Sequence, residues 1–413
     1  MVNLKKMKNE FKTYWICLHN WVHVSIKTDA VLLYNTRNGQ FIITKNPKQI
    51  DLINQLHERK NLGTTLIDDI ILQDADLKTF IEEAQQKEIF SLIEYRENFP
   101  RPIQLMPVLN IQRDIEKIKK EKDRSIGEEI IYYLTELTLF VNNQCGLQCS
   151  FCNDAVKQFL CCSSQNNTKY LDVSVLQSIA KQIKILQGLK LNIIGGNIFQ
   201  YPEIKQIPAI FPENKIYYWF HYSNFQSNII DFSSQFDVLV DFPLKKEILT
   251  ACKNQLPKET TQFHFIVSSV ENITTARSLI DEFSIENFEF HPFYTGMNNK
   301  FFEENVYLNE EDITSETINQ RKIFCNQALN ANFFGKLTIL PNCDVYANIN
   351  AEKLGNIKDN SLLQLIYKEL DINTSWRKTR NQKPCSNCVF QYLCPAPSNY
   401  EISVGRQNLC HLI

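Results

Sequence analysis

Residues 134–310 constrain the fold most, because strand-like and helix-like segments alternate along them. Strands are predicted at 136–142, 190–196, 215–223, 236–241, 263–268 and 287–293. Helical patterns lie between these strands, at 172–186, 245–253 and 272–283. Such alternation implies a parallel sheet that is covered by helices. Because six β/α units are too few for a closed eight-fold barrel, we expect an α/β fold with a partial (β/α)6 barrel.

The segments that flank this region differ from it. At about 100–200 residues per domain, two to four units are expected in this chain. We divide it into an α+β domain at 1–95, a connector at 96–133, the barrel at 134–310 and a cysteine-rich domain at 315–413. The charge-rich stretch 113–124 predicts a solvated linker helix. Residues 315–413 contain few confident elements, which indicates a fold that depends on bound metal.

The N-terminal segment predicts one small three-stranded sheet backed by helices. The predicted strands are 22–26, 31–34 and 41–44, and the predicted helices are 47–57 and 76–89. The first strand alternates apolar and polar side chains, as a half-buried strand does. Asn38-Gly39, between the other two strands, is a strong hairpin signal.

Composition and charge exclude several classes of function. Hydrophobic residues at 44% and charged residues at 22% are normal for a globular protein. A net charge of −2 gives no electrostatic case for binding nucleic acid or an anionic membrane. No apolar run reaches the roughly 18 residues that would span a bilayer. Residues 14–24 lack a small-residue cleavage site and are interpreted as mature protein, so we expect a cytoplasmic location.

Thirteen cysteines in such a chain favour metal binding in a reducing compartment over a disulfide framework. Three of them, Cys145, Cys149 and Cys152, follow the first predicted barrel strand. They therefore lie at the C-terminal rim, where β/α folds carry their chemistry. Three thiolates can hold three corners of a 4Fe–4S cluster and leave the fourth iron open to a substrate or cofactor. A zinc site or three unrelated thiols is the alternative.

The spacing Cys-x3-Cys-x2-Cys, with Phe151 before the last cysteine, resembles the signature of the radical S-adenosylmethionine (radical SAM) superfamily. The resemblance implies that the open iron binds the amino and carboxylate groups of SAM, and that an electron from the cluster cleaves the sulfonium bond. The 5′-deoxyadenosyl radical then abstracts a hydrogen atom, while the protein positions and shields the reactants. A reductant such as ferredoxin or flavodoxin is implied as well.

Further positions at the rim match the superfamily residue by residue. Gly195-Gly196-Asn197 stands where the family usually has Gly-Gly-Glu beside the methionine moiety, and Asn197 offers no charge to the ammonium group of SAM. Ser223-Asn224 resembles the family's Thr-Asn-Gly near the ribose, with Phe225 in place of the glycine. Ser268 is a further ribose contact that the resemblance implies. Each position is also compatible with an ordinary strand-end turn.

The C-terminal segment resembles the SPASM domain, which binds auxiliary clusters in peptide-modifying radical enzymes. The matching positions are Cys325, Gly335, Cys343, Gly355, Trp376, Cys385, Cys388, Cys394 and Cys410. The resemblance implies that Cys385, Cys388, Cys394 and Cys410 hold one auxiliary 4Fe–4S cluster. Ser398 replaces a cysteine of the other cluster, so we expect one auxiliary cluster and not two. A four-cysteine zinc site is the alternative.

The N-terminal segment resembles the winged-helix-like recognition element of peptide-natural-product pathways, which captures a leader peptide as an added strand. A generic α+β domain is the alternative. The chain also resembles Bacteroidales-type companions called pseudo-radical-SAM proteins, through Tyr14-Trp15, Leu32-Leu33-Tyr34-Asn35 and the stretch before Cys145.

These resemblances imply a radical SAM peptide maturase, which abstracts hydrogen from a ribosomally made precursor peptide to form a crosslink or similar modification. A catalytically degenerate companion, which binds the leader peptide or a sister maturase, is the main alternative. A zinc-stabilised scaffold is the third.

The remaining cysteines, Cys17, Cys161, Cys162 and Cys252, are interpreted as core thiols. The Cys161-Cys162 pair follows the cysteine loop, which leaves a redox or substrate role open for it. Three histidines, His221, His264 and His291, fall in predicted strands and are interpreted as buried barrel residues rather than as bases.

Overall fold

A computed structural model describes residues 12–69, 71–107, 130–152, 154–161, 170–227 and 234–412. Its strands form two three-stranded sheets and one nine-stranded sheet. The N-terminal strands are β1 Thr13–Leu18, β2 Val22–Ile26, β3 Val31–Asn35, β4 Phe41–Thr44, β5 Thr64–Asp68 and β6 Phe90–Glu94. The nine-stranded sheet contains β7 Glu136–Phe140, β8 Lys190–Ile194, β9 Lys215–His221, β10 Gln235–Val240, β11 Thr261–Val267, β12 Phe288–Pro292, β13 Lys336–Ile339, β14 Asp344–Tyr346 and β15 Gly355–Asn356.

Helices are distributed along the described chain, and none of them is long and apolar enough to cross a membrane. They span Pro47–His57, Ala75–Gln86, Val173–Ile183, Ile207–Ile210, Lys246–Gln255, Val270–Phe283, Asn299–Asn305, Glu310–Thr314, Gln320–Ala328, Leu362–Ile372 and Asn399–Val404. Several begin at a polar cap: the side chains of Asp172, Ser269 and Ser361 each accept a hydrogen bond from a backbone N–H of the first turn. The linker helix predicted at 113–124 lies outside the described residues.

The predicted parallel sheet is confirmed. Strands β7 to β12 lie side by side in chain order, and each pairs in parallel with its neighbours. This is the strand order of a partial (β/α)6 barrel. Side chains alternate between two faces, as strand geometry requires. One face packs against the helices through Leu139, Ile193 and Val240. The other face, called the inner face below, carries Phe140, Ile194, Trp219, Leu239 and Ile266.

The C-terminal segment extends this sheet beyond β7. Strand β13 pairs in parallel with β7, and β14 and β15 follow in antiparallel order. The helix Leu362–Ile372 packs into the same core as Trp376, whose indole N–H donates to the Lys336 carbonyl at 2.9 Å. The segment thus holds more regular structure than the sequence predicts. The sequence analysis did not predict these strands because they are short and because β13 pairs with β7, which is distant in sequence.

The N-terminal segment holds two sheets rather than the single one predicted. The hairpin between β3 and β4 is confirmed, and these strands form an antiparallel sheet with β2. In the second sheet, β1 lies between β5 and β6 and is antiparallel to both. This sheet was missed because β5 and β6 are partly exposed and lie far from β1 in sequence, so neither shows the pattern of a buried strand.

Strand β3 is buried along its whole length because both faces of its sheet are covered. One face packs on the N-terminal helices. The other face places Leu32 and Tyr34 against the C-terminal segment, in a cluster with Ile313, Ile323, Phe390 and Leu393. Lys27 Nζ adds hydrogen bonds to the Ser386 carbonyl at 2.8 Å and to Gln391 Oε1 at 2.6 Å. The first and last segments of the chain are therefore packed together.

Candidate functional site

The cysteine loop begins where β7 ends, at the carboxyl edge of the parallel sheet. Cys145 is exposed, Cys152 is half-buried and Cys149 is buried. The Cys152 N–H donates to the Cys149 carbonyl at 3.0 Å, which places both residues on one turn. A hydrogen bond with Cys152, burial, and the negative charges of Asp241, Cys152 and Cys145 raise the pKa of the Cys149 thiol. Cys145 and Cys152 thus lie near enough to act on Cys149, although the three sulfur atoms do not all lie within 4.8 Å of one another.

Phe151 attaches the cysteine loop to the inner face. Its buried ring lies 5.5 Å from the ring of Phe159 and 6.3 Å from that of Phe293, measured between centroids. Cys149, Cys152 and Leu147 belong to the same apolar cluster. Buried aromatic pairs of this kind hold a loop in place through apolar burial and ring geometry. The observed contacts of Phe151 are packing contacts, and its predicted place beside the cofactor stays a prediction.

Gly195 and Gly196 follow β8 and face the start of the cysteine loop. Their φ angles are +119° and +45°, and a Cβ on either would collide with a backbone carbonyl, that of Asn142 for Gly195 and that of Gln144 for Gly196. Glycine is required here because the backbone of the loop passes so close. The predicted contact of these glycines with the methionine moiety of SAM stays a prediction.

Asn197 completes this junction through its backbone and its side chain. Its N–H donates to the Gln144 carbonyl at 2.5 Å, and its carbonyl accepts from Asn142 Nδ2 at 2.7 Å. The side-chain oxygen of Asn197 accepts from the Phe199 N–H at 3.1 Å and so caps a short turn. Asn197 therefore connects β8 to the cysteine loop.

Ser223 and Asn224 follow β9 at the same edge of the sheet. Asn224 Nδ2 lies 3.8 Å from Cys145 Sγ, which connects the end of β9 directly to the cysteine loop. Phe225, which replaces the expected glycine, packs against Phe199 and Phe220 of the helix-covered core. Its ring is therefore accommodated away from the inner face.

Ser268, predicted as a ribose contact, is held at the end of β11 by its neighbours. Its hydroxyl lies 3.1 Å from Asn272 Oδ1, which also accepts from the Ser268 N–H. Its carbonyl accepts from Asn298 Nδ2 at 2.9 Å. No contact of Ser268 with the cysteine loop is seen among the described residues, so its predicted role stays a prediction.

The sequence analysis missed an ionisable pair beside Cys149. His221 ends β9, and its Nε2 lies 2.9 Å from Oδ1 of Asp241, which directly follows β10. His221 Nδ1 accepts from the Ser223 N–H, so the ring proton is on Nε2 and is donated to Asp241. Ligand atoms of Cys149, His221 and Asp241 all lie within 4.8 Å of one another. Polar residues at the carboxyl ends of adjacent parallel strands were the signal that could have revealed this pair.

A second group of thiols lies in the C-terminal segment. The four predicted residues, Cys385, Cys388, Cys394 and Cys410, line one small cavity of about 20 Å3. Burial raises the pKa of the Cys388 thiol, and it raises that of Cys394 to about 12. Metal binding would therefore have to displace protons from these thiols. No three of the four sulfur atoms are found within 4.8 Å of one another, although all four residues are described.

Side-chain hydrogen-bond donors contact two of these four thiols. Arg380 Nη1 lies 3.8 Å from Cys385 Sγ, and Asn408 Nδ2 lies 3.1 Å from Cys410 Sγ. Arg380 Nη2 also pairs with Glu401 at 2.8 Å, and both side chains are almost fully buried. Such donors stabilise negative charge on sulfur, as a bound metal requires.

The other cysteines of the segment are placed differently. Cys343 is buried in the large core at the turn between β13 and β14. Burial raises the pKa of its thiol; nearby Lys358 opposes this rise, and Asp172 and Asp344 add to it. Ser398 caps the helix Asn399–Val404: its hydroxyl accepts from the Tyr400 N–H at 3.2 Å and donates to Glu401 at 2.6 Å. Ser398 thus has a structural role at the position where the resemblance expects a cysteine.

Comparison with known proteins gives likenesses of fold only. No family model matches the sequence, and no curated protein matches it. Streptococcus suis SuiB bound to precursor peptide SuiA is 14% identical, with a TM-score of 0.48 over 96% of this chain and 98% of that chain. SuiB bound to S-adenosylmethionine is 13% identical, with a TM-score of 0.39 over 96% and 98%. Native anSMEcpe with bound AdoMet is 13% identical, with a TM-score of 0.43 over 66% and 95%. Likeness at this level assigns no activity to this chain.

Proposed function

We propose that this protein is a radical SAM peptide maturase, which modifies a ribosomally made precursor peptide by hydrogen abstraction. The observation that carries the proposal is the convergence of Cys145, Cys149 and Cys152 immediately after β7, the first strand of a six-stranded parallel array. Three thiolates at this spacing suit a 4Fe–4S cluster that keeps one iron open. The exposed Cys145 and the buried Cys149 leave one side of the loop accessible from solvent.

Residues around the thiols have the chemistry to orient SAM. In this proposal the cluster supplies the electron that cleaves SAM, and the protein binds and shields the cofactor. Asp241, held by His221, offers an anionic group to the ammonium or the ribose of SAM, which Asn197 does not. Asn224 donates toward Cys145, and Phe151 excludes water from the inner side of the loop. Gly195, Gly196, Ser223 and Ser268 complete the proposed cofactor site.

We also propose that Cys385, Cys388, Cys394 and Cys410 hold one auxiliary 4Fe–4S cluster. The choice of a cluster over the alternative zinc site rests on the resemblance of the spacing Cys385-x2-Cys388-x5-Cys394 to the SPASM domain. The donors Arg380 and Asn408 suit sulfur that carries negative charge. A second auxiliary cluster is not proposed, because Ser398 caps a helix and Cys343 lies in the apolar core.

The N-terminal segment supports a peptide partner. Trp15 of β1 pairs with Leu66 of β5 on one side and with Ile93 of β6 on the other, so the three side chains form a row on one face. Leu66 and Ile93 are 43% and 45% exposed. Strands β5 and β6 are the edges of their sheet, and a sheet edge binds an extended peptide as an added strand. We propose that the leader of the precursor peptide binds here.

A single assay tests the activity. Full-length protein is reconstituted anaerobically with iron and sulfide, reduced with dithionite and incubated with SAM, and 5′-deoxyadenosine is measured by mass spectrometry. We expect product from the wild type and from Cys325→Ser, whose thiol belongs to neither proposed set, and none from Cys149→Ala. No product above background from wild-type protein with a formed cluster would contradict the proposal.

One observation favours a second function, that of a degenerate companion which binds the leader peptide or a sister maturase. The side chain of Asn197 is used to cap a turn, and it stands where a charged residue is expected. A protein that yields no 5′-deoxyadenosine in the assay above, and that binds a leader peptide in a separate equilibrium binding measurement, would identify this companion role.

A further inference from the structure

The inner face of the barrel carries a second group of ligand-type side chains, distinct from the thiols. His264 lies on β11, and Glu289 and His291 lie on the adjacent β12. His264 Nδ1 and His291 Nε2 are 2.8 Å apart. Glu289 Oε2 lies 3.7 Å from this His264 nitrogen and 3.8 Å from this His291 nitrogen. Two imidazole nitrogens and one carboxylate oxygen therefore surround a common point.

The size of this triangle suits a metal ion. Atoms with these three separations share a point about 2.0 Å from each of them, which is the length of Zn–N and Zn–O bonds. Two imidazoles and one carboxylate form a ligand set that suits divalent first-row transition metals. Three protein ligands also leave at least one coordination position for water or another ligand.

Asp237 of β10 provides an independent observation. Its Oδ1 lies 2.8 Å from His264 Nε2, and the two side chains are only 6% and 3% exposed. A histidine that binds a metal typically donates its second ring N–H to a carboxylate, which leaves the first nitrogen free for the metal. Oδ2 of Asp237 is buried and has no hydrogen-bond partner among the described residues. A buried carboxylate is costly without compensating charge, and a nearby cation would supply it.

The group is accessible from solvent. Strand β12 is the edge strand of the nine-stranded sheet, and the Glu289 side chain is 55% exposed. The His291 side chain is 16% exposed, and Glu289 Oε2 lies about equally far from it and from the buried His264. A metal ion could therefore enter from the open edge of the partial barrel.

We propose that His264, Glu289 and His291 bind one divalent first-row transition-metal ion, and that Asp237 orients His264 as a positioning residue. This site uses nitrogen and oxygen ligands and is independent of the thiols proposed to hold iron–sulfur clusters. Without a metal, Asp237, His264 and His291 would form only a hydrogen-bonded relay, to which Glu289 is unnecessary. The dependence of metal binding on Glu289 therefore distinguishes the two arrangements.

The test uses the full chain with its iron and sulfide reconstituted anaerobically. Each protein is incubated with zinc sulfate and desalted, and its zinc and iron contents are measured by mass spectrometry. We expect the wild type to retain about one more zinc per chain than Glu289→Gln or His291→Ala, at equal iron content. Glu286→Gln and His57→Ala, which change exposed residues of the same types elsewhere, should retain as much zinc as the wild type. Zinc bound by thiols contributes equally to all five proteins and cancels.

Two further measurements keep the outcome decisive. Glu289 is exposed, so Glu289→Gln should fold as the wild type does, and zinc should raise the thermal unfolding midpoint of the wild type more than that of the variant. Asp237→Asn should weaken zinc binding about 10–100-fold and leave the stoichiometry at saturation unchanged, as expected for a residue that orients a ligand. Equal zinc retention by the wild type, Glu289→Gln and His291→Ala would overturn the proposal and leave the relay.

Discussion

Asp241 places a carboxylate beside Cys149, whereas the Asn197 side chain is uncharged. The carboxylate lies within 4.8 Å of Cys149 Sγ and accepts a hydrogen bond from His221 Nε2 at 2.9 Å. The Asn197 side chain caps a turn on the neighbouring strand end. A carboxylate next to the thiols can pair with an ammonium group or with ribose hydroxyls, and charge-assisted hydrogen bonds are the stronger kind. We therefore propose that Asp241 takes the place of the charged residue expected at position 197.

We predict that Asp241→Asn lowers the affinity for SAM about tenfold, which corresponds to about 1.4 kcal/mol, because it removes one charge-assisted contact. The measurement is equilibrium binding of SAM to anaerobically reconstituted protein. Iron content should stay at the wild-type level, since Asp241 is not one of the three proposed thiolate ligands. Asp281→Asn, which changes an exposed carboxylate on the helix Val270–Phe283, is the matched control. Unchanged SAM affinity in Asp241→Asn would remove this residue from the cofactor site.

At the scale of elements, the sequence predicts what local periodicity encodes. The six barrel strands and their helices are predicted because each is an apolar run or an amphipathic segment. The β5-β1-β6 sheet and the pairing of β13 with β7 could not be predicted, because they join segments that are distant in the chain. The two thiol groups are predicted from linear spacing. The contacts of Asp241 with His221 and of Asp237 with His264 depend on strand register, which cannot be deduced from the sequence.

The junction between β8 and the cysteine loop depends on Gly196, and we predict that Gly196→Ala is strongly destabilising. An added Cβ would collide with the Gln144 carbonyl, and the left-handed φ adds about 1–2 kcal/mol. Gly188→Ala is the matched control, because Gly188 has a φ of +83° but nothing within 4 Å of its Cβ position. We expect Gly196→Ala to lower the thermal unfolding midpoint more than Gly188→Ala and to reduce iron retention. Equal midpoints and equal iron content in the two variants would show that the close approach of Gly196 to the Gln144 carbonyl does not hold the cysteine loop in place.

In the whole molecule, the N-terminal sheet and the C-terminal thiol group share one apolar cluster. Cys388 and Cys394 pack beside Phe390 and Leu393, which contact Leu32 and Tyr34 of β3. Between Cys385 and Cys394, the regular structure is limited to the short turn Cys385–Asn387. A segment of this kind depends on bound metal for its order. We therefore propose that the state of the thiol site is coupled to the docking of the segment proposed to bind the leader peptide.

We predict that Cys394→Ser loosens the sheet formed by β2, β3 and β4 as well as the thiol segment itself. Loss of one ligand should disorder the segment around Phe390 and remove apolar burial from β3. The measurement is hydrogen exchange followed by mass spectrometry on the reconstituted protein. Faster exchange is expected in 22–44 and 380–394, with exchange in β7, β8 and β9 unchanged. Cys325→Ser, the same substitution in the same segment but outside the four-thiol set, should exchange as the wild type does. If exchange in 22–44 is identical in both variants, the N-terminal sheet docks independently of the metal site.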